Sequence, residues 1–168
     1  IVHRFHMPVY TRYPLIWTYA ESGDTKMVAE WLETREAHSP AHIKSKRSLF
    51  GDVMDLEAEG GEHDTSPLHA AVVEGHIGIV LRLIAAGADL SPTDGDGNTQ
   101  LICLWMEAER LDLDVGSEKS DAFLAVAKVL LQFGADVNIP CRDPESCEML
   151  SPDPKDGDTA LSQAIFFY

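Results

Sequence analysis

Apolar residues fall in adjacent pairs, four positions apart, at three places in the chain. They are Met27-Val28 with Trp31-Leu32, Ile79-Val80 with Leu83-Ile84, and Val126-Ala127 with Leu130-Leu131. Apolar residues at i, i+1, i+4 and i+5 lay one broad stripe along a helix, so each stretch is predicted to be an amphipathic helix. Glycine follows two of them, at Gly87 and Gly134. Each stands where a left-handed residue ends a helix without a Cβ penalty. One such helix and its partner cannot bury a stripe of this width, so the units must stack on their neighbours.

The spacing of the other landmarks is regular. Ser66-Pro67-Leu68-His69-Ala70-Ala71 precedes the second stripe and is separated from it by Glu74-Gly75-His76; Gly87-Ala88-Asp89-Leu90 follows it. The next unit opens at Thr99-Gln100-Leu101, and Pro67 and Gln100 lie 33 residues apart. This order and period resemble the ankyrin-repeat family: a T-P-L-H-x-A opening, a Gly-His turn, an apolar second helix and a Gly-Ala-Asp exit. The resemblance implies an all-α solenoid of helix-turn-helix units joined by β-hairpins or loops.

About four repeats with insertions are expected within a single domain, residues 1–168. The first, near 12–35, is degenerate: Leu15 stands where Pro is usual and Trp17 where His is usual, while Gly23-Asp24 supplies the inter-helix turn. The second, near 61–92, follows the pattern most closely. The third, 94–138, carries extra residues between its helices. The fourth opens at Asp156-Gly157-Asp158-Thr159-Ala160-Leu161 and is incomplete over 156–168. Ile165 to Tyr168 would lack a covering second helix there, so the chain is expected to continue. Three insertions break the period. One lies within 33–61 and contains Leu49-Phe50-Gly51-Asp52-Val53-Met54, a piece able to pack on the stack. The acidic one around 109–121 holds Asp112, Asp114, Glu118 and Asp121, and 139–154 is rich in proline. All three are expected to be loops or spacers.

Charge narrows the partners. Twenty-eight Asp and Glu stand against 13 Lys and Arg, a formal net charge of −15. Such a surface disfavours nucleic acid and anionic membranes and favours a basic protein, although charge of this size also serves solubility alone. No apolar run approaches the length of a membrane span. Three cysteines, Cys103, Cys141 and Cys147, are an odd and sparse count that argues against a disulfide scaffold and for an intracellular, reducing compartment, cytoplasmic or nuclear.

Candidate chemistry is thin. Asp94-Gly95-Asp96-Gly97-Asn98 looks like the start of a calcium loop, but Thr99 and Trp105 stand where such a loop needs Gly and Glu. A hairpin tip explains the glycines, and Asp156-Gly157-Asp158-Thr159 repeats it. His38 and His42 are separated by Pro40, and Cys141 and Cys147 lie six apart in a proline-rich stretch, so neither pair forms a metal motif. Nucleophile-elbow, metalloprotease and phosphate-loop motifs are absent, as is the dinucleotide fingerprint. No catalytic residue, metal or cofactor is therefore expected. Lys44-Ser45-Lys46-Arg47 reads as a solvated basic loop. Asn138, in Asp136-Val137-Asn138, resembles asparagine hydroxylation sites of some ankyrin proteins but reads first as a loop-bonding residue.

In that family a partner usually docks on the hairpin tips and on the groove side of the first helices. By motif position the tips are Glu62, His63 and Thr65, then Gly95, Asp96 and Asn98, then Lys155, Asp156 and Asp158. The first-helix ends are Glu21 and Ser22, Val73 and Glu74, and Met106 and Glu107. Acids dominate this set, with Val73 and Met106 between them. The arrangement predicts a basic protein segment with apolar teeth as ligand; the alternative is that acidic tips only resist aggregation. Two functions are expected from the resemblance: an interaction scaffold or adaptor, or a regulatory or targeting module of a larger enzyme, effector or ubiquitin-ligase component.

Overall fold

The computed structural model describes residues 15–37, 56–57, 59–60, 64–90, 93–112, 114, 116–140 and 159–161. Among them are six helices and no strand: α1 (Leu15–Glu21), α2 (Thr25–Ala37), α3 (Pro67–Val73), α4 (Ile77–Ala85), α5 (Gln100–Arg110) and α6 (Glu118–Gln132). Helices α1, α3 and α5 pack side by side in one row. Helices α2, α4 and α6 form a second row, and each pair α1–α2, α3–α4 and α5–α6 is in contact.

Local chemistry sets the ends of these helices. Asp24 Oδ1 accepts the Met27 N–H at 3.0 Å. Ser66, Thr99 and Ser117 side chains accept from the amides of His69, Ile102 and Ser120. Each side chain satisfies one of the amides that a helix N-terminus leaves unpaired. Gly87 and Gly134 have φ of 91° and 90°, the left-handed geometry expected after α4 and α6.

The apolar stripes meet in one core. Val28, Trp31, Ile79, Val80, Leu83, Val126 and Leu130 are buried from the second row, with Ile16, Ala20, Leu68, Ala71, Val72 and Leu104 from the first. Leu131 departs from the expected stripe and is 49% exposed.

Contacts between successive units repeat along the stack. A Cβ on Gly23 would lie 2.8 Å from the His76 ring, and a Cβ on Gly75 would lie 3.0 Å from the Phe123 ring. Gly23 and Gly75 occupy equivalent turns, and Phe123 occupies in α6 the register that His76 holds before α4. The two rings are equivalent locks on the preceding turn. His76 Nε2 also donates to the Glu21 carbonyl at 3.2 Å.

A second series of contacts joins first helices to the next hairpin. Gly60 and Thr65 form an isolated antiparallel bridge. Trp17 packs its ring against Gly60 and donates its indole N–H to Thr65 Oγ1 at 3.0 Å. One unit later, the fully buried His69 bonds Ser66 Oγ through Nδ1 at 3.0 Å and faces the backbone of Asn98. Thr65 and Asn98 are 33 residues apart. Trp17 therefore does in the first unit what His69 does in the second.

Burial lowers the His69 pKa, and the nearby Asp94 charge and Asn98 carbonyl only partly oppose this. The folded ring thus takes a proton less readily than the unfolded one, whose pKa is about 6.5. Its contribution to stability is full above that value and is lost as pH falls from there toward the folded pKa. As pH falls below about 6.5, the melting temperature should drop more steeply in the wild type than in His69→Gln. Parallel curves for the two proteins would refute the assignment.

Two insertions differ from the loops expected. The stretch 109–121 is helical at both ends, where α5 runs to Arg110 and α6 begins at Glu118, with turns between them: α5 has 11 residues where α3 has 7, and α6 has 15 where α4 has 9. Leu101, Leu104, Trp105, Ala108 and Leu111 continue a helical apolar period through the extra turn, and Ser117 restarts the next helix. In the 33–61 stretch, α2 runs on to Ala37, Leu56 is buried in the core, and Glu57 Oε1 accepts the Asp89 amide at 2.9 Å. Leu49 to Met54 and residues 141–154 lie outside the described residues.

Candidate binding surface

The first-helix row presents its C-terminal ends in equivalent positions. Glu21 closes α1 and Ser22 follows it, both exposed. Val73 closes α3 half-buried, and Glu74 caps it and is exposed. Met106 and Glu107 lie inside the longer α5, both half-buried. Because α1, α3 and α5 pack side by side, these pairs form one ridge with acids at Glu21, Glu74 and Glu107. Met106 packs with Trp105 and Ala160 around Ile102, in a small cluster apart from the main core.

Arg110, missing from the sequence-derived set, changes the charge of this ridge. Its Nε donates to Glu107 Oε2 at 2.7 Å, and its Nη2 donates to Glu107 Oε1. That forked pair, reinforced by the charge of Glu74, raises the Arg110 pKa. Glu107 is therefore paired, Glu74 shares the field of the same arginine, and Glu21 is the ridge acid farthest from it in the row. The i, i+3 spacing of Glu107 and Arg110 was available in the sequence; reading the stretch from Glu109 as a loop hid it.

The hairpin tips need two corrections. Asn98 is 1% exposed and offers a partner nothing. Its backbone N–H donates to Asp94 Oδ1 at 2.7 Å and its side-chain amide to Oδ2 at 3.4 Å. Thr65 is half-buried, and its hydroxyl lies between the Trp17 indole N–H and the Gly60 carbonyl, to which it donates at 3.1 Å. Both residues build the stack and do not project from it. Asp96 is half-buried and donates its N–H to Asp94 Oδ1 at 3.1 Å, while Gly95 is exposed. Glu62, His63, Lys155, Asp156 and Asp158 lie outside the described residues.

Other candidates have structural explanations. The Asp94 carboxylate holds its own loop through the amides of Asp96 and Asn98 and accepts from the Cys103 thiol at 3.3 Å. Burial first, then the Asp94 charge, pushes the Cys103 thiol pKa well up, which makes it a poor nucleophile. Asn138 is exposed and bonds Asp136 Oδ1 through both its backbone and side-chain nitrogens. Among the described residues no group of three or more His, Cys, Asp or Glu is placed to hold a metal ion, and no helix is long and apolar enough to cross a membrane.

Two similarities bear on this arrangement. The family model described as Ankyrin repeat matches residues 63–95. The chain is also 48% identical over 61 residues to Palmitoyltransferase Hip14 of Drosophila melanogaster, a match covering 34% of this chain and 10% of that protein. The chain thus corresponds to only a tenth of the length of this relative. The chain thus carries an ankyrin repeat at residues 63–95, within an all-α stack of three helix pairs in two rows.

Proposed function

We propose that this chain is a non-catalytic protein-interaction module that binds a basic segment, carrying apolar side chains, along the ridge of first-helix ends. The observation that carries the reading is the alignment of exposed Glu21 and Glu74 beside half-buried Val73 and Met106. An apolar anchor flanked by charges suits a hot spot with a steering rim. The net charge of −15 directs the surface toward cations and away from nucleic acid. The low cysteine count fits an intracellular setting.

The test is a charge reversal. Glu21→Lys/Glu74→Lys alters exposed residues only, whereas Glu107→Lys would break the pair with Arg110. Partners captured from source-cell lysate by the wild type should bind the double variant about tenfold or more weakly, and wild-type capture should weaken with salt. Equal binding by both proteins would remove the ridge from consideration.

A second reading rests on the similarity to a palmitoyltransferase of which the chain spans a tenth. In it the module serves a larger enzyme, as a targeting or regulatory part. Finding the ridge occupied by a segment of the same polypeptide would favour it.

A further inference from the structure

We propose that Arg110 is a built-in decoy for the ligand of the ridge: it holds on Glu107 the place that an arginine of the bound segment takes, and it swings away when that segment docks. The proposal rests on the ridge reading above and adds to it the chemistry of the ligand and a competitor within the same chain. Arg110 Nε donates to Glu107 Oε2 at 2.7 Å and Nη2 donates to Oε1, so one edge of the guanidinium spans both carboxylate oxygens. That fork is how a carboxylate reads an arginine, and an ammonium group cannot reproduce it.

The two halves of the pair are unequally placed. The Glu107 side chain is 13% exposed and the Arg110 side chain 62%. The acid is held by the fold, while the arginine lies over it, mostly open to water. A pair of this kind, three residues apart on one helix, is weakly held, so the arginine can leave at little cost to the fold. Met106 lies four residues before Arg110 and is its neighbour on the surface of α5. Departure of the arginine therefore frees an acid beside one of the apolar anchors of the ridge. Glu74, which caps α3, adds its charge to that of Glu107 on Arg110. The place thus offers a carboxylate fork, a second acid and an apolar side chain. An arginine next to an apolar residue satisfies all three; a lysine in the same segment satisfies the charge but not the fork.

The test titrates the 168-residue chain with two peptides, acetyl-LRALRA-amide and its lysine counterpart acetyl-LKALKA-amide. Arg110→Gln should bind the arginine peptide about fivefold or more tightly than the wild type does. Arg82→Gln removes the same charge from an exposed position of α4 and should change the affinity by less than about twofold. The gain should disappear in Arg110→Gln/Glu107→Gln, and the wild type should prefer the arginine peptide. On titration of the wild type, the Arg110 Nε–H signal in a proton–nitrogen NMR spectrum should move toward that of a free arginine. Equal gains from Arg110→Gln and Arg82→Gln would reduce the effect to net charge and overturn the proposal, and equal affinity for the two peptides would overturn the arginine assignment. If Arg110→Gln binds no more tightly than the wild type while Glu21→Lys/Glu74→Lys still weakens binding, the decoy falls and the ridge reading stands. Binding by none of these proteins removes both.

Discussion

Phe123→Ala is expected to destabilise the protein by about 3–4 kcal/mol, read from urea unfolding followed by tryptophan fluorescence. Phe123 is 4% exposed and belongs to the main core. One edge of its ring lies over the Gly75 turn, and Lys119 sits 5.7 Å from its centroid. Truncation removes the lost transfer energy of the ring and leaves a cavity between the second and third units, which the helices on either side can close only partly. The damage falls on an interface and not within one unit. Because a repeat stack is held by nearest-neighbour terms, weakening this one should also broaden the transition or split it between probes. A loss below about 1 kcal/mol with a single sharp transition would mean that Phe123 does not couple the two units.

Much of the fold was legible because its determinants are local and periodic. The stripes at Met27 to Leu32, Ile79 to Ile84 and Val126 to Leu131, with Gly87 and Gly134 after two of them, define second helices in any register. What escaped was set by position in the assembled stack. Trp17 read as a defect at a histidine position, yet its indole N–H reaches Thr65 as the His69 ring reaches the next hairpin. Phe123 carried no motif signal, because the longer α5 and α6 moved it out of the 33-residue period before it could be matched with His76. Charge-rich composition around 109–121 suggested a loop, but helices α5 and α6 reach into it from both ends and leave only its middle as turn.

The candidate ridge was legible to a lesser degree. Motif position put Glu21, Val73, Glu74 and Met106 on first helices, which pack side by side in the fold. It did not give exposure. Asn98 is closed in by the Asp94 carboxylate and Thr65 by the Trp17 ring, both consequences of turns whose hydrogen bonds a linear pattern does not display. Arg110 neutralises Glu107 only because α5 runs a turn further than expected. Counting acids therefore overstated the free negative charge of the ridge.

The lock between Gly75 and Phe123 makes a sharper prediction when two glycines are compared. Gly75→Ala should cost about 2–3 kcal/mol and Gly87→Ala about 1 kcal/mol. Both glycines have left-handed backbones, with φ of 76° and 91°, so an alanine at either meets the same conformational penalty. Their surroundings differ. A Cβ at Gly87 meets nothing within 4 Å, whereas at Gly75 it would stand 3.0 and 3.1 Å from two atoms of the Phe123 ring. That ring is buried, so relieving the overlap takes a shift of a few tenths of an ångström in the ring or the helices around it, at the expense of packing between the second and third units. The excess cost should vanish in a Phe123→Ala background, where Gly75→Ala falls back to about 1 kcal/mol; the difference is the coupling energy of the contact. Equal costs for Gly75→Ala and Gly87→Ala in the wild type would place all of the penalty in backbone strain and none in the contact. An excess that disappears with the ring would make Phe123 a fastener of the preceding turn, the role His76 holds one unit earlier at Gly23.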